Sequence, residues 1–189
     1  AKVPSVESRI KTFKELSQRL GKKRVVWRYD PLILTKDIDV NELLRRVKNI
    51  GDQIHEFTEK LVFSFVDIGI YKKVQNNLNK EQVPYIEWTE ELMDEFASKL
   101  CNINKSWGLH LGTCSEKIDL DKYGIVHNKC IDDDLMIDLF SEDKELMDFL
   151  GVEITPADLF SDGEVIKTKK LKDKGQREDC GCIMAKDIG

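Results

Sequence analysis

Residues 61–66, LVFSFV, constrain the fold more than any other stretch of this sequence. An apolar run this short, rich in valine and phenylalanine, reads as a strand covered on both faces, the usual state of a strand in a parallel sheet. Parallel neighbours cannot be joined by tight turns, so crossover helices must flank the run. The sequence supplies them. Ser5 is placed to cap a helix whose apolar positions Val6, Ile10, Phe13, Leu16 and Leu20 fall at helical spacing, and Gly21 ends it. Asp39 opens a second helix marked by Val40, Leu43, Leu44, Val47, Ile50, Ile54 and Phe57. A short polar helix is expected over residues 71–78. Thr89 caps another, with Trp88, Leu92, Phe96, Leu100 and Ile103 along one side and Gly108 at its close.

Two further strands, residues 24–30 and 109–113, complete an alternation of helix and strand that runs to residue 114. This pattern predicts an α/β fold of alternating helices and parallel strands, either a partial (β/α) barrel-like sheet or an open one. A closed (β/α)8 barrel takes eight strands and about 250 residues, so three strands cannot close one. Residues 1–189 are therefore expected to form a single α/β domain that is a fragment of a larger barrel. Beyond residue 114 the pattern weakens to a turn-rich segment up to Cys130 and a helix from near Asp132 towards Leu150. Residues 141–175 read as an inserted or flexible charged segment.

Charge narrows the partners. A net charge of −5 and a pI near 5.4 argue against a protein whose main task is coating nucleic acid or an anionic membrane. Any substrate, small molecule or nucleic acid, is unidentified at this level. No apolar run reaches the ~20 residues of a membrane span, and the N-terminal residues lack the apolar core of a signal peptide, so the cytoplasm is the expected compartment. There is no GxGxxG after a strand, no GxxxxGK, no GxSxG and no HExxH. Hydride transfer, nucleotide hydrolysis and serine-type hydrolysis thus lose their usual signatures.

Candidate site residues follow from strand periodicity. Side chains alternate faces, so Val25, Trp27 and Tyr29 point one way while Val26, Arg28 and Asp30 point the other, aiming two opposite charges where apolar residues belong. Pro31 should end the strand and leave Asp30 at its carboxyl end. Asp67 and Glu116 follow the other two strands, so neighbouring strands would gather Asp30, Asp67 and Glu116 on one rim beside Arg28. Such a rim can bind a ligand, and it can equally be an internal ion pair without chemistry. His110 and Gly112 share the face of Cys114. His110 reads as a core histidine.

Without an export signal, the five cysteines are expected as thiols or metal ligands rather than disulfides. Cys114, Cys130, Cys180 and Cys182 form a candidate metal set for zinc or an iron-sulfur cluster. The plain alternative is a set of small buried hydrophobes. His127 lies three residues before Cys130 and could join the metal set, whereas Cys101 sits on a core helix. Asp132, Asp133 and Asp134 open a helix, where acids favour the dipole without calcium. Lys167, Lys169, Lys170, Lys172 and Lys174 read as a solvated loop.

Four separated motifs carry a family resemblance: WRYDPLILT at residues 27–35, SFVD at 64–67, TCSEKIDLDKYGIVHNKCID at 113–132 and QREDCGCIMAKDIG at 176–189. In this order they resemble the uncharacterised family catalogued as domain of unknown function 1848. The resemblance implies a barrel-like α/β fold and an iron-sulfur enzyme like those of the radical S-adenosylmethionine type. In that family the chain extends further at both ends and continues past the DIG into a CxxxCxxC cluster. S-adenosylmethionine is therefore implied only for a full-length protein carrying that cluster. The sequence departs from the family pattern at Asn128-Lys129, where a glycine commonly follows the histidine, and over roughly residues 141–172. The competing reading is a non-catalytic, zinc-stabilised binding module.

Overall fold

Helix α1 (Val6–Leu20) starts where the Ser5 hydroxyl accepts a hydrogen bond from the Ser8 amide, and stops at Gly21, whose φ of 90° suits a residue without Cβ. In the computed structural model the described residues are 3–69, 72–114, 116–129, 132–154 and 165–167. The chain continues into β1 (Trp27–Leu32), β2 (Leu34–Thr35), α2 (Val40–Ile54), β3 (Lys60–Phe65), α3 (Lys72–Lys80), β4 (Tyr85–Ile86), α4 (Glu90–Asn104), β5 (His110–Thr113) and β6 (Ile125–His127). Then come α5 (Asp133–Phe140), α6 (Lys144–Leu150), β7 (Val152–Ile154) and β8 (Val165–Lys167). Asp39 and Thr89 cap α2 and α4 as their sequence positions predict.

Strands β1, β3, β5 and β6 form one parallel sheet in that spatial order. The order is sequential, and right-handed crossovers that all step the same way deposit their helices on the same face. The core reflects this. Trp27, Leu61, Phe63, Phe65, Leu111 and Ile125 pack in one cluster with Val40, Leu44 and Val47 of α2 and Phe96 and Leu100 of α4. Between the strands, the register pairs Trp27 with Leu61, Leu61 with Leu111 and Leu111 with Ile125. A sheet wound in one direction with helices on one side is the barrel-type arrangement rather than the doubly wound one.

Three local expectations change. Strand β1 does not stop at Pro31 but runs to Leu32, and the register slips between Tyr29 and Leu32, so β1 spends three residues where β3 spends two. Proline is tolerated there because a bulge asks for no ladder hydrogen bond. The Asp30-Pro31 bond is cis. The turn-rich segment before Cys130 contains a fourth parallel strand, β6. The single helix expected from Asp132 to Leu150 is two helices, because Asp143 accepts from the Leu146 amide and caps a new start.

The chain divides into two compact units, Ala1–Asn128 and Lys129–Gly189. The sheet and its core lie in the first. In the second, Ile137, Met147 and Val152 form a small core of their own, and β7 pairs antiparallel with β8. Among the described residues, no helix is long and apolar enough to cross a membrane.

Candidate functional site

Register and alternation leave a second row of residues on the face away from α2 and α4. Arg28 pairs with Val62, Val62 with Gly112, and Gly112 with Val126. One step towards the carboxyl ends, Asp30, Ser64, Cys114 and Asn128 follow by alternation. This polar face carries the charged pair read from the sequence. Arg28 Nη2 donates to Asp30 Oδ2 at 2.6 Å, and the Ser64 hydroxyl donates to Asp30 Oδ1. Asp30 is thus held from its own strand and from the neighbouring one. The register that pairs Tyr29 with Phe63 sets Asp30 beside Ser64, and the extra residue at Pro31 then returns Leu32 to the helical face, where it is fully buried.

Cys114 is buried at 3% exposure, and it is the third partner. Partial burial works against the charge of Arg28, but hydrogen bonds to Asp30 and to Cys114 outweigh it and hold the guanidinium above its ordinary pKa. The middle of the face is covered rather than open. Val62 is fully buried, Gly112 has no side chain, and a Cβ at Gly112 would come 3.2 Å from Asn128 Cβ.

The structure brings only some of the predicted residues together. Arg28, Asp30 and Cys114 meet. Glu116 comes to the end of β3 in a different role, where its Oε1 accepts from the Phe65 amide at 2.7 Å. That side chain replaces the backbone carbonyl β5 would have offered had it continued. Asp67 is exposed beyond β3, close enough to Gly69 that a Cβ there would stand 3.4 Å from its Oδ1. His110 begins β5 at the opposite end of the sheet and is exposed. His127 pairs with Thr113 in register, 3.5 Å from the Thr113 hydroxyl, so it falls on the helical face rather than beside Cys114.

Of the predicted metal set, Cys114 alone can be placed; Cys130, Cys180 and Cys182 lie outside the described residues. Lys169, Lys170, Lys172 and Lys174 do as well. Asp132, Asp133 and Asp134 bring carboxylate oxygens within 4.8 Å of one another. Their charges are already used: Asp132 caps α5, and Lys129 bonds both Asp133 and Asp134. An open groove of about 260 Å³, lined by Leu34, Val40, Ile86 and Leu92, contains none of the predicted site residues.

Ser64 was not among the residues the sequence pointed to. Its signal was present nonetheless, because it is the one hydroxyl in an apolar strand and lies an even number of residues from the row of Arg28 and Val62.

Comparison with known proteins yields no match among curated proteins and none among solved structures. A family profile described as Domain of unknown function (DUF1848) matches residues 1–189. The match covers all four motifs, including the Arg28–Asp30 strand and the Cys114 turn, and on that extent the chain belongs to the DUF1848 family.

Proposed function

We propose that the polar face is the ligand site of an enzyme, with Arg28 and Asp30 as binding groups and Cys114 beside them. One observation carries this reading: Asp30, Ser64 and Cys114 lie towards the carboxyl ends of three parallel strands, and Arg28, one row back, is bonded to Asp30 and to Cys114. In α/β sheets that end is where ligands bind. Stability alone gives little reason for such a cluster. The Arg28 and Asp30 side chains are 43% and 23% exposed, and pairs this accessible contribute about 0–1 kcal/mol.

The reaction class favoured is the radical S-adenosylmethionine type implied by the family resemblance, with a metal or cluster held in part by Cys114. The donor type fits, because sulfur is a ligand that both iron and zinc take. Cys130, Cys180 and Cys182 are the proposed companions, and a bound iron-sulfur cluster would supply one-electron chemistry. Asp67 and Glu116 are proposed as rim acids, with Glu116 acting through its hold on β3. The burial of Cys114 also suits a second reading, in which zinc only fastens the fold.

Replacing Arg28 or Asp30 with alanine should abolish ligand binding while circular dichroism shows the fold retained; unchanged binding refutes the site. Anaerobic purification followed by elemental analysis and absorbance decides the metal. Iron with a visible chromophore supports the cluster, stoichiometric zinc without one supports the second reading, and neither metal refutes both.

A further inference from the structure

Helix α3 is built against its own stability. None of its residues is fully buried; Val74, Gln75 and Leu78 are half-buried on one side, and the other six are exposed. At about 100° per residue the exposed arc runs Asn79, Lys72, Asn76, Lys80, Lys73, Asn77, three lysines among three asparagines. Each asparagine costs up to about 0.7 kcal/mol of helix propensity relative to alanine. Lys72 and Lys73 stand in the first turn, where the helix dipole disfavours a cation. Among the described residues none of these three lysines is ion-paired, whereas Arg45, Lys48 and Lys99 of α2 and α4 each bond a carboxylate of their own helix. Solvation alone would be served better by residues that favour a helix.

The helix follows the chain out of the carboxyl end of β3, the end of an α/β sheet at which ligands bind. Lysine and asparagine are both donors to phosphate oxygens. From Lys72 to Lys80 the helix rises about 12 Å, while a nucleic-acid strand carries a phosphate about every 3.4 Å. One phosphate group reaches one lysine; a strand reaches all three. A lipid surface fits less well, because a helix lying on a membrane buries large apolar side chains, and the exposed arc has none. We infer that the exposed side of α3 binds the phosphate backbone of a nucleic-acid strand. The net charge of −5 keeps this contact local and sensitive to salt. It uses no residue of the polar face, so its test is independent of the ligand site proposed above.

The full chain would be titrated into a fluorescein-labelled oligouridylate of about 12 nucleotides, with anisotropy as the readout. Saturable binding is expected. Three lysine contacts give a slope of about −2 in log K against log salt, a loss of about fifteenfold between roughly 50 and 200 mM. Lys72→Gln, Lys73→Gln and Lys80→Gln combined should weaken binding at least about tenfold at the lower salt and flatten the slope. Changing the exposed Lys11, Lys36 and Lys105 to glutamine together removes the same charge elsewhere, and should leave binding within about twofold. Equal loss in both variants, or no saturable binding at the lower salt, overturns the inference. Should circular dichroism show that the first variant loses helix, Asn76→Asp with Asn77→Asp keeps the lysines and sets two acids among them. That variant should bind severalfold more weakly, and unchanged affinity counts against the inference. Phosphatidylserine vesicles bound through the same lysines, with no binding of the oligouridylate, would assign α3 to a membrane surface instead.

Discussion

Gly51 shows how tightly single positions are determined on the helical side of the sheet. It lies on the buried stripe of α2 under the Trp107 indole, and a Cβ there would stand 2.4 Å from two ring carbons. Two effects of Gly51→Ala oppose each other. Alanine stabilises a helix interior by about 1 kcal/mol over glycine. Against this, the indole cannot swing away, because it packs edge-on to Trp27 and its Nε1 donates to Asp52 Oδ1 at 3.0 Å. Overpacking against a fixed ring costs about 1–3 kcal/mol, so the clash wins. Gly51→Ala should lower the denaturation midpoint in urea, and a raised midpoint would show that Trp107 is freer than its contacts indicate. Sequence periodicity identified α2 but gave Gly51 no role, since the constraint comes from a side chain 56 positions later.

The elements are tied at their ends by side chains reaching backbone groups. Trp88 Nε1 donates to the Leu32 carbonyl at 3.0 Å, joining the entry of α4 to the end of β1, and the same indole lies 4.7 Å from the Phe65 ring centre. Trp88→Phe keeps a ring in place but leaves a buried carbonyl without its donor, at a cost of about 1–3 kcal/mol. Thermal melting should show the loss, and no change would mean water replaces the indole. A second tie is sensitive to pH. Hydrogen bonds from Lys48 and Trp107 hold Asp52 below its ordinary carboxylate range. A depressed folded-state pKa contributes stability that is present above the unfolded value near 3.8 and is lost as pH falls through the depressed value. Asp52 is largely exposed, so the contribution is under about 1 kcal/mol. Acid titration of stability should be shallower in Asp52→Asn, which keeps an acceptor for Trp107, and an unchanged slope would exclude Asp52 as its source.

At the scale of the whole molecule, what the sequence made legible was the part governed by short-range periodicity. The parity of Arg28 and Asp30 in β1 put them on the polar face, and Cys114 followed from the same alternation in β5. Strand β6 escaped because three residues, Ile125–His127, are too few to show a period, and only pairing with β5 makes them a strand. The bulge at Pro31 escaped for a related reason, since proline locally reads as a stop and only the register with β3 shows the chain continuing. The division at Asn128 also depends on packing between residues far apart in sequence. Every buried residue of the main core, from Ile10 to Ile125, belongs to the first unit, whereas Ile137, Met147 and Val152 pack among themselves. A unit that contains its own core should fold alone. A chain ending at Asn128 should therefore unfold in a single cooperative transition, with its midpoint within a few degrees of the corresponding transition in the full chain. A broad, non-cooperative melt would mean that the sheet draws on residues after Asn128.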